Sequence, residues 1–481
     1  MRRGTTRRPG WWAVGRGTTA LLTIAGALLV GGLAAWGAEP PAAEGQAAGL
    51  RVATFDVDAT PPVGVQMAYG PALRAADLTL RCRGIVLTGA GQPVVLCAVD
   101  WIGIGNAAHD AFRAGLAKAA GTVPERVAVH ALHQHDAPHA DFTAEKILAD
   151  LGVKTFPRFD GTFARDVIAR TAAEITAALP RARPVTHAGF GRAEVAGIAS
   201  NRRLIGPDGK LRAWRASATR DPALRAEPDG TIDPFVQALV LFDGTTPLVV
   251  LTTYATHPRS YYRTGVPGPD FPGIARFLRT QDLPSALHVH FTGAAGNIAA
   301  GKYNDGAQAN RVILATRLAA GMRQAYEVAE ADRRPLAAAE VGFAAVPVKL
   351  AARADLDRDA LERSVRDTAD RGTFAAADTL AFLERARQGH EIPVTCLSIG
   401  GTRMLHLPGE LFIEYQLAAQ KLRPDLHVML AAYGDYGPGY IGTATAYGEG
   451  GYEVLPTSSF VGPEAEAPLL AAIRTLLEVK E

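Results

Sequence analysis

Residues 131–139 read ALHQHDAPH and directly follow the apolar run Val127–Val129. Side chains alternate along a strand, so His133 and His135 are expected to project to the same side at its end. Two imidazoles converging there suit a metal ligand with a neighbouring acid/base, and His139 adds a third close by. The spacing is not that of His-x-His-x-Asp-His metal sites, because Asp136 follows His135 directly. Three other stretches carry similar chemistry. TYATHPRS (253–260) places His257 after an apolar run, HLPGELF (406–412) places Glu410 after a Pro-Gly turn, and GYIGTATAYGEGGYE (439–453) places Tyr440 and Tyr452 in a Gly-rich loop. Taken singly these read as a surface histidine, a glutamate at a helix start and tyrosines packed in a loop. Taken with His133, they form a His/His/Glu set of the kind that holds Zn²⁺ with one coordination position open.

A nucleotide-binding reading is weaker. Residues 296–303, GNIAAGKY, match G-x-x-x-x-G-K but continue with Tyr303. A phosphate-binding loop needs a Ser or Thr hydroxyl there to reach Mg²⁺, and tyrosine cannot take that compact position.

The elements that must position these residues alternate between short apolar runs and helical patterns from Leu50 onward, which argues an α/β fold with a mixed β-sheet core covered by helices. Strands are expected over 51–57, 78–87, 93–99, 126–132, 235–242, 247–254, 287–291, 394–399 and 427–432, with a hairpin turn at Asp243-Gly244. Helices are expected over 107–120, 162–178, 310–329, 358–388 and 465–477, the stretch 350–388 being read as a solvated helical insertion. No internal repeat is evident. Cys82, Cys97 and Cys396 lie in expected strands and read as buried free thiols; three cysteines without a C-x-x-C pair exclude a disulfide scaffold or a zinc ribbon.

Composition narrows the function further. The 481 residues carry 50 Lys+Arg and 48 Asp+Glu, a net charge of +2 that gives no argument for nucleic-acid binding. A 48% hydrophobic content excludes disorder as the main state. Arg2, Arg3, Arg7, Arg8 and Arg16 precede an uncharged apolar stretch from Thr18 to Trp36, followed by Ala38-Glu39. Residues 1–38 therefore read as a signal peptide or N-terminal membrane anchor, residues 39–49 as a linker, and residues 50–481 as a single large domain acting after export.

At the level of motif order, residues 50–480 resemble the catalytic domain of the neutral/alkaline (non-lysosomal) ceramidases. FDVDATPPVG (55–64) is similar to that family's opening, and ALHQHDAP to its Thr-His-Thr-His-Ser-Gly-Pro stretch. NRR (201–203), YATHP, PDFPG (269–273), LPGE, GYI…YE and the Gly462-Pro463 after TSSF then follow in the family's order. The resemblance implies Zn²⁺ held by His133, His257, Glu410 and Tyr440. It also implies His135 as acid/base, with Arg202 and Tyr452 stabilising the oxyanion. The activity implied is hydrolysis of an amide in an N-acyl, sphingolipid-like substrate by zinc-activated water, with membrane-surface association and no nucleic-acid partner.

Two departures qualify that expectation. The family's Gly-Asp-Val-Ser-Pro segment falls on Gly296-Asn297-Ile298-Ala299-Ala300, so alanine stands where the family has a serine, and a serine acyl-enzyme is excluded at that position. The resemblance also ends near residue 480, leaving no room for the family's C-terminal immunoglobulin-like domain. A non-catalytic metal- or lipid-binding relative, or an esterase or peptidase using the same metal site, remain the alternative readings.

Overall fold

A computed structural model of the chain describes residues 49–367 and 373–479, so the expected leader and nearly all of the linker lie outside the described residues. Among the described residues no helix is long and apolar enough to cross a membrane.

Three sheets of one plan make up the architecture. In the first, Arg51–Asp58, Arg81–Thr88 and Val94–Val99 run antiparallel, and Val127–Ala131 is added parallel to Val94–Val99. In the second, His187–Glu194, Phe235–Asp243 and Thr246–Tyr254 run antiparallel, and Leu287–Thr292 is parallel to Thr246–Tyr254. In the third, Val341–Val348, Ile392–Ile399 and Thr402–His406 run antiparallel, and His427–Ala431 is parallel to Thr402–His406. Each parallel strand is reached through a helix: Asn106–Ala120, Asp270–Asp282 and Ile413–Leu422 in turn. This is the crossover that a parallel pair requires. The repeated plan went unseen in the sequence because it is carried by topology, not by shared residues.

Strand alternation explains how the sheets pack. Ile85, Leu87, Leu96 and Ala98 of the first sheet, Leu239, Leu241, Leu251 and Phe291 of the second, and Leu397, Ile399, Met404 and Met429 of the third share one central core. The intervening residues point outward to the helices: Val86, Val95, Cys97 and Val99 meet Phe112, Leu116 and Val167, whereas Val240, Val394 and Leu430 join the core that includes Leu318 and Ile473. Strands buried on both faces must read as continuous apolar runs, and Val94–Val99 is buried at all six positions. The fold is therefore α/β, with mixed sheets covered by helices. Cys82, Cys97 and Cys396 are free and buried, as expected.

The differences from expectation have local causes. His187–Glu194 was missed because Gly189 and Gly191 interrupt its apolar pattern. A Cβ at either would collide with the carbonyl oxygen of Ala329 or Ala325 in the helix Ala309–Ala331, so glycine is what lets that helix lie on the sheet. The expected helix over 358–388 is two helices, Arg358–Arg366 and Thr373–Arg387. Nor is it merely solvated: Val365, Ala377 and Ala381 bury a face against Ala144 and Leu148 of the helix Phe142–Asp150. The lookalike 296–303 is not a phosphate loop. It holds the two-residue strand Ile298–Ala299, and the Tyr303 hydroxyl donates to Asp229 Oδ1 at 2.7 Å.

The central sheets also bury histidines away from the site. Burial pushes His288 down to about 4 and His290 to about 3, with the Arg276 charge adding to the depression of His290. In the unfolded chain both titrate near pH 6.5. Below about pH 6.5 the unfolded chain therefore takes up protons that the native state refuses, and stability is lost as pH falls through that window, by up to about 1.4 kcal/mol per pH unit for each histidine. The thermal midpoint, measured with a chelator present so that metal loss contributes nothing, is expected to fall from pH 7 to about pH 4.5. His290→Gln should make that fall shallower; an unchanged slope would show that His290 is not among the groups responsible.

Candidate metal centre

The site lies where the parallel pairs of the three sheets end. Ala131 leads to His133, Tyr254 to His257, His406 to Glu410 and Ala431 to Tyr433. Ligand sites form beyond the carboxyl ends of parallel strands because the chain must turn away there. Strand alternation does not bring His133 and His135 together, contrary to expectation: the strand stops at Ala131, and His133 has a left-handed backbone with φ of 72°. Its N–H donates to Trp101 O at 2.8 Å, which helps hold that conformation. A non-glycine residue in this region is strained, and strain of this kind persists where surrounding contacts fix it. The turn sets the His133 and His135 rings edge to face, with centroids 5.1 Å apart.

Contacts around each side chain define its direction. His133 Nδ1 lies 2.6 Å from Ile102 O; a carbonyl only accepts, so Nδ1 carries a proton and Nε2 is the ring atom turned toward the other donors. His133 Nε2 is 3.2 Å from Glu410 Oε2, and His257 Nδ1 is 3.7 Å from the same oxygen. His257 Nε2 is 3.0 Å from His135 Nε2. Glu410 pairs in register with Tyr440 in a short parallel bridge, Glu410–Leu411 with Tyr440–Ile441. Its other oxygen, Oε1, accepts the Tyr436 hydroxyl at 2.7 Å.

This donor set fits a metal ion. His133, His135 and His257 can each offer one ligand atom with all three within 4.8 Å of one another. Glu410 Oε2 and His257 Nδ1 are buried and have no hydrogen-bond partner among the described residues. Buried polar atoms are rarely left so. In a tetrahedral site with bonds of about 2.0–2.2 Å, two donors stand roughly 3.3–3.6 Å apart, close to the separations that Glu410 Oε2 makes with the two imidazoles. Protonation favours the same reading. Burial, and then neighbouring cations, push His135 and His257 well below the usual imidazole range, so both are neutral near pH 7. Burial raises the Glu410 carboxyl, but His133, Tyr436 and Arg202 outweigh it and hold it below the ordinary value. Neutral imidazoles and an ionised carboxylate are the forms that bind a cation.

The other expected residues surround this core. Arg202 is buried; its Nη1 donates to Tyr440 Oη and to Gly296 O, both at 3.1 Å, and its Nε is 3.4 Å from Glu453. Tyr440 therefore meets Arg202 through its hydroxyl, and burial holds that phenol well above its usual pKa. Tyr452, 46% exposed, sits at the rim with its ring centroid 5.7 Å from that of Tyr440. Ala299 is buried and pairs with Ser200, whose hydroxyl donates to Ala299 O at 2.8 Å; no serine hydroxyl occupies that position. Residues not anticipated include Tyr436 and Tyr433, the latter stacked on His133 at 4.6 Å between centroids. A further one is Asp378, 3.7 Å from His139. The segment Tyr433–Tyr440, with three tyrosines in eight residues, was the available signal for the first two. His133, His135, Glu410, Arg202, Tyr436, Tyr440 and Tyr452 line a cavity of about 930 Å³.

No family model matches the sequence, and no curated protein matches it either. Solved structures do. One described as a ceramidase complexed with C2 is similar over 90% of this chain and 76% of its own, with a TM-score of 0.63 and 17% identity. A neutral ceramidase from Pseudomonas aeruginosa is similar over 90% of this chain and 75% of its own, with a TM-score of 0.63 and 16% identity. The chain therefore shares the fold of these ceramidase structures. At this identity the likeness establishes the fold; within that ceramidase-like fold, the buried histidine group is what this chain itself supplies for a metal.

Metal binding can be checked directly. Elemental analysis of the purified protein is expected to find about one transition-metal ion per chain, and His133→Ala or His257→Ala should each lose most of it, because outer contacts alone tune affinity only about 10–100-fold. Full retention in both variants would remove the metal assignment.

Proposed function

We propose that the protein is an exported, zinc-dependent hydrolase of the ceramidase-like type that cleaves the amide bond of an N-acyl compound. The observation that carries this reading is the convergence of Glu410 Oε2 with His133 Nε2 and His257 Nδ1, with a further neutral imidazole, His135, beside them, where His133, His135 and Glu410 line an open cavity. His133, His257 and Glu410 would hold the ion, with Tyr440, the strand partner of Glu410, as fourth ligand. Bound there, Zn²⁺ supplies a Lewis acid and lowers the pKa of water to about 7. The Arg-rich, then apolar, first 38 residues support export.

The chain's own residues account for the rest of the chemistry. His135 is neutral near pH 7, so it can accept the proton of the attacking water and pass it to the leaving nitrogen. The water oxygen joins the acyl carbon, the C–N bond breaks, and that proton ends on the amine. Arg202 is fixed by Tyr440, Gly296 and Glu453, yet its Nη2 makes no hydrogen bond among the described residues and the side chain lines the cavity. It can face the oxygen that becomes negative, opposite the Tyr452 hydroxyl on the rim. One such donor is worth roughly 3–4 kcal/mol in the transition state. The route uses no serine, which agrees with alanine at position 299.

His135→Ala is expected to slow amide hydrolysis by about 10²–10⁴-fold while zinc content stays near wild type. His133→Ala should abolish both together. If both variants hydrolyse the best amide substrate at the wild-type rate, the histidines are structural and the protein is a binding relative of the fold. A separate measurement addresses Ala299: intact-mass spectrometry during turnover should find no acyl adduct on the chain. A trapped acyl-enzyme would mean that a side chain, not water, attacks.

A further inference from the structure

We infer that the substrate of this site carries an anionic group on its amine half, gripped at the cavity mouth by Arg259 and Arg263. The inference rests on the hydrolase reading and narrows its substrate class to N-acyl amino acids and related acidic amides.

Beyond the strand Thr246–Tyr254 the chain passes His257 and then returns two arginines to the cavity. Arg259 lies two residues beyond His257 and its N–H donates to His257 O at 2.8 Å. Its guanidinium stands over the Tyr262 ring at 4.9 Å, and that of Arg263 lies 5.3 Å from the Tyr69 and Tyr262 rings alike. Those two rings also flank the acid/base. Tyr69 is stacked parallel to His135 with centroids 5.5 Å apart, and Tyr262 meets it edge-on at 5.2 Å. Both guanidiniums are thus one aromatic ring from His135.

Other arginines around this region have carboxylates: Arg158 has Asp378, Arg202 has Glu453 and Arg311 has Asp270. Among the described residues, Arg259 and Arg263 have neither a side-chain hydrogen bond nor an ion pair, only the aromatic contacts. The nearby carboxylate that could have neutralised them is committed elsewhere. Asp136 Oδ1 accepts the backbone N–H groups of Arg263 and Thr264 at 2.9 and 3.2 Å, and Oδ2 accepts the Thr264 hydroxyl at 2.9 Å. This clamp holds Arg263 in a left-handed conformation, φ 64°. A strained backbone that presents an uncompensated guanidinium beside a catalytic imidazole is a built feature. Two planar forks in one cavity match a carboxylate or a related oxyanion.

The cavity wall argues the same way. Among the described residues no Leu, Ile, Val or Met lines it; its apolar members are alanines and aromatic rings, and Arg158, Arg202, Arg259 and Arg263 line it together with Asp141, Asp378 and Glu410. Such a wall offers little to a pair of aliphatic chains. The charge belongs to the amine half because His135, which shares Tyr69 and Tyr262 with the two arginines, delivers its proton to the leaving nitrogen.

Three amides with one acyl chain separate the outcomes: N-octanoylglycine, N-octanoyltaurine and the neutral N-octanoylethanolamine, each given to the zinc-loaded protein. The expected result is a kcat/KM at least about tenfold higher for the glycine or taurine amide than for the ethanolamide, with the advantage shrinking as salt is raised. The double variant Arg259→Gln/Arg263→Gln, at a half-buried and an exposed position respectively, should bring that ratio toward one. A carboxylate-specific grip favours the glycine amide; a general oxyanion site takes the taurine amide equally. Preference for the neutral amide, or an anionic preference untouched by the double variant, would overturn the inference. If no amide is cleaved, the hydrolase reading fails, and calorimetry decides the anion site alone: N-octanoylglycine binding that the double variant loses would uphold it, and binding that persists in the variant, or no binding to wild type, would refute it.

Discussion

A glutamate buried to 2% exposure, with one oxygen lacking any hydrogen bond, is the constraint on which the site turns. An isolated carboxylate is strongly disfavoured in such surroundings and would neutralise itself by taking up a proton. Here it is held ionised by its neighbours. The Tyr436 hydroxyl satisfies one oxygen, and the other is left facing two imidazoles that are themselves oriented from behind or beside. Because those neighbours arrive from different sheets, the requirement propagates outward. The first sheet must end near His133, the second near His257 and the third near Glu410, and the shared apolar core between the sheets keeps these three ends together.

The buried pair Arg276–Asp100 shows how the same demand is met further out. Asp100 follows the strand Val94–Val99, receives Arg276 Nη1 at 2.7 Å, and also accepts the Arg81 N–H at 2.9 Å. Removing one partner of such a pair leaves an uncompensated buried charge, which is strongly destabilising. The pair joins the helix Asp270–Asp282, which leads into the second sheet's parallel strand, to the first sheet. The positions of His133 and His257 are thereby coupled through charge as well as through packing.

How much of this was legible in the sequence depended on where the information lies. Long apolar strands such as Phe235–Asp243 and Thr246–Tyr254, with Asp243-Gly244 between them, are specified locally and were readable to within a residue or two. The helix Thr162–Ala178 was readable to the residue. His187–Glu194 was not, because its glycines serve a helix over a hundred residues away in sequence. At the site, His133, His257 and Glu410 could be singled out by residue type, but strand alternation does not account for the meeting of His133 with His135. Alternation along a strand would have sufficed, whereas the chain uses a left-handed turn. Tyr436 and the Arg259/Arg263 pair emerge only in three dimensions, since nothing local marks a tyrosine as a carboxylate's donor or an arginine as lacking one.

The alanine at position 299 and the arginines at the cavity mouth are separate departures that point in compatible directions. Ala299 is buried in a two-residue bridge whose neighbours, Asn297 and Ile298, accept the backbone N–H groups of Arg202 and His257. The segment thus keeps its scaffolding role: it fixes the backbone under two site residues without offering a nucleophile. On the proposed hydrolase reading, what the chain retains is the apparatus for holding a cation and moving a proton. What it adds is positive charge in the wall beside His135, with Arg259 among the influences that hold that imidazole neutral. On that reading, a wall carrying Arg259 and Arg263 is suited to substrates that bring their own negative charge. Both features meet in one loop, residues 257–264, which carries the Glu410-facing imidazole of His257 at one end and the clamped Arg263 near the other.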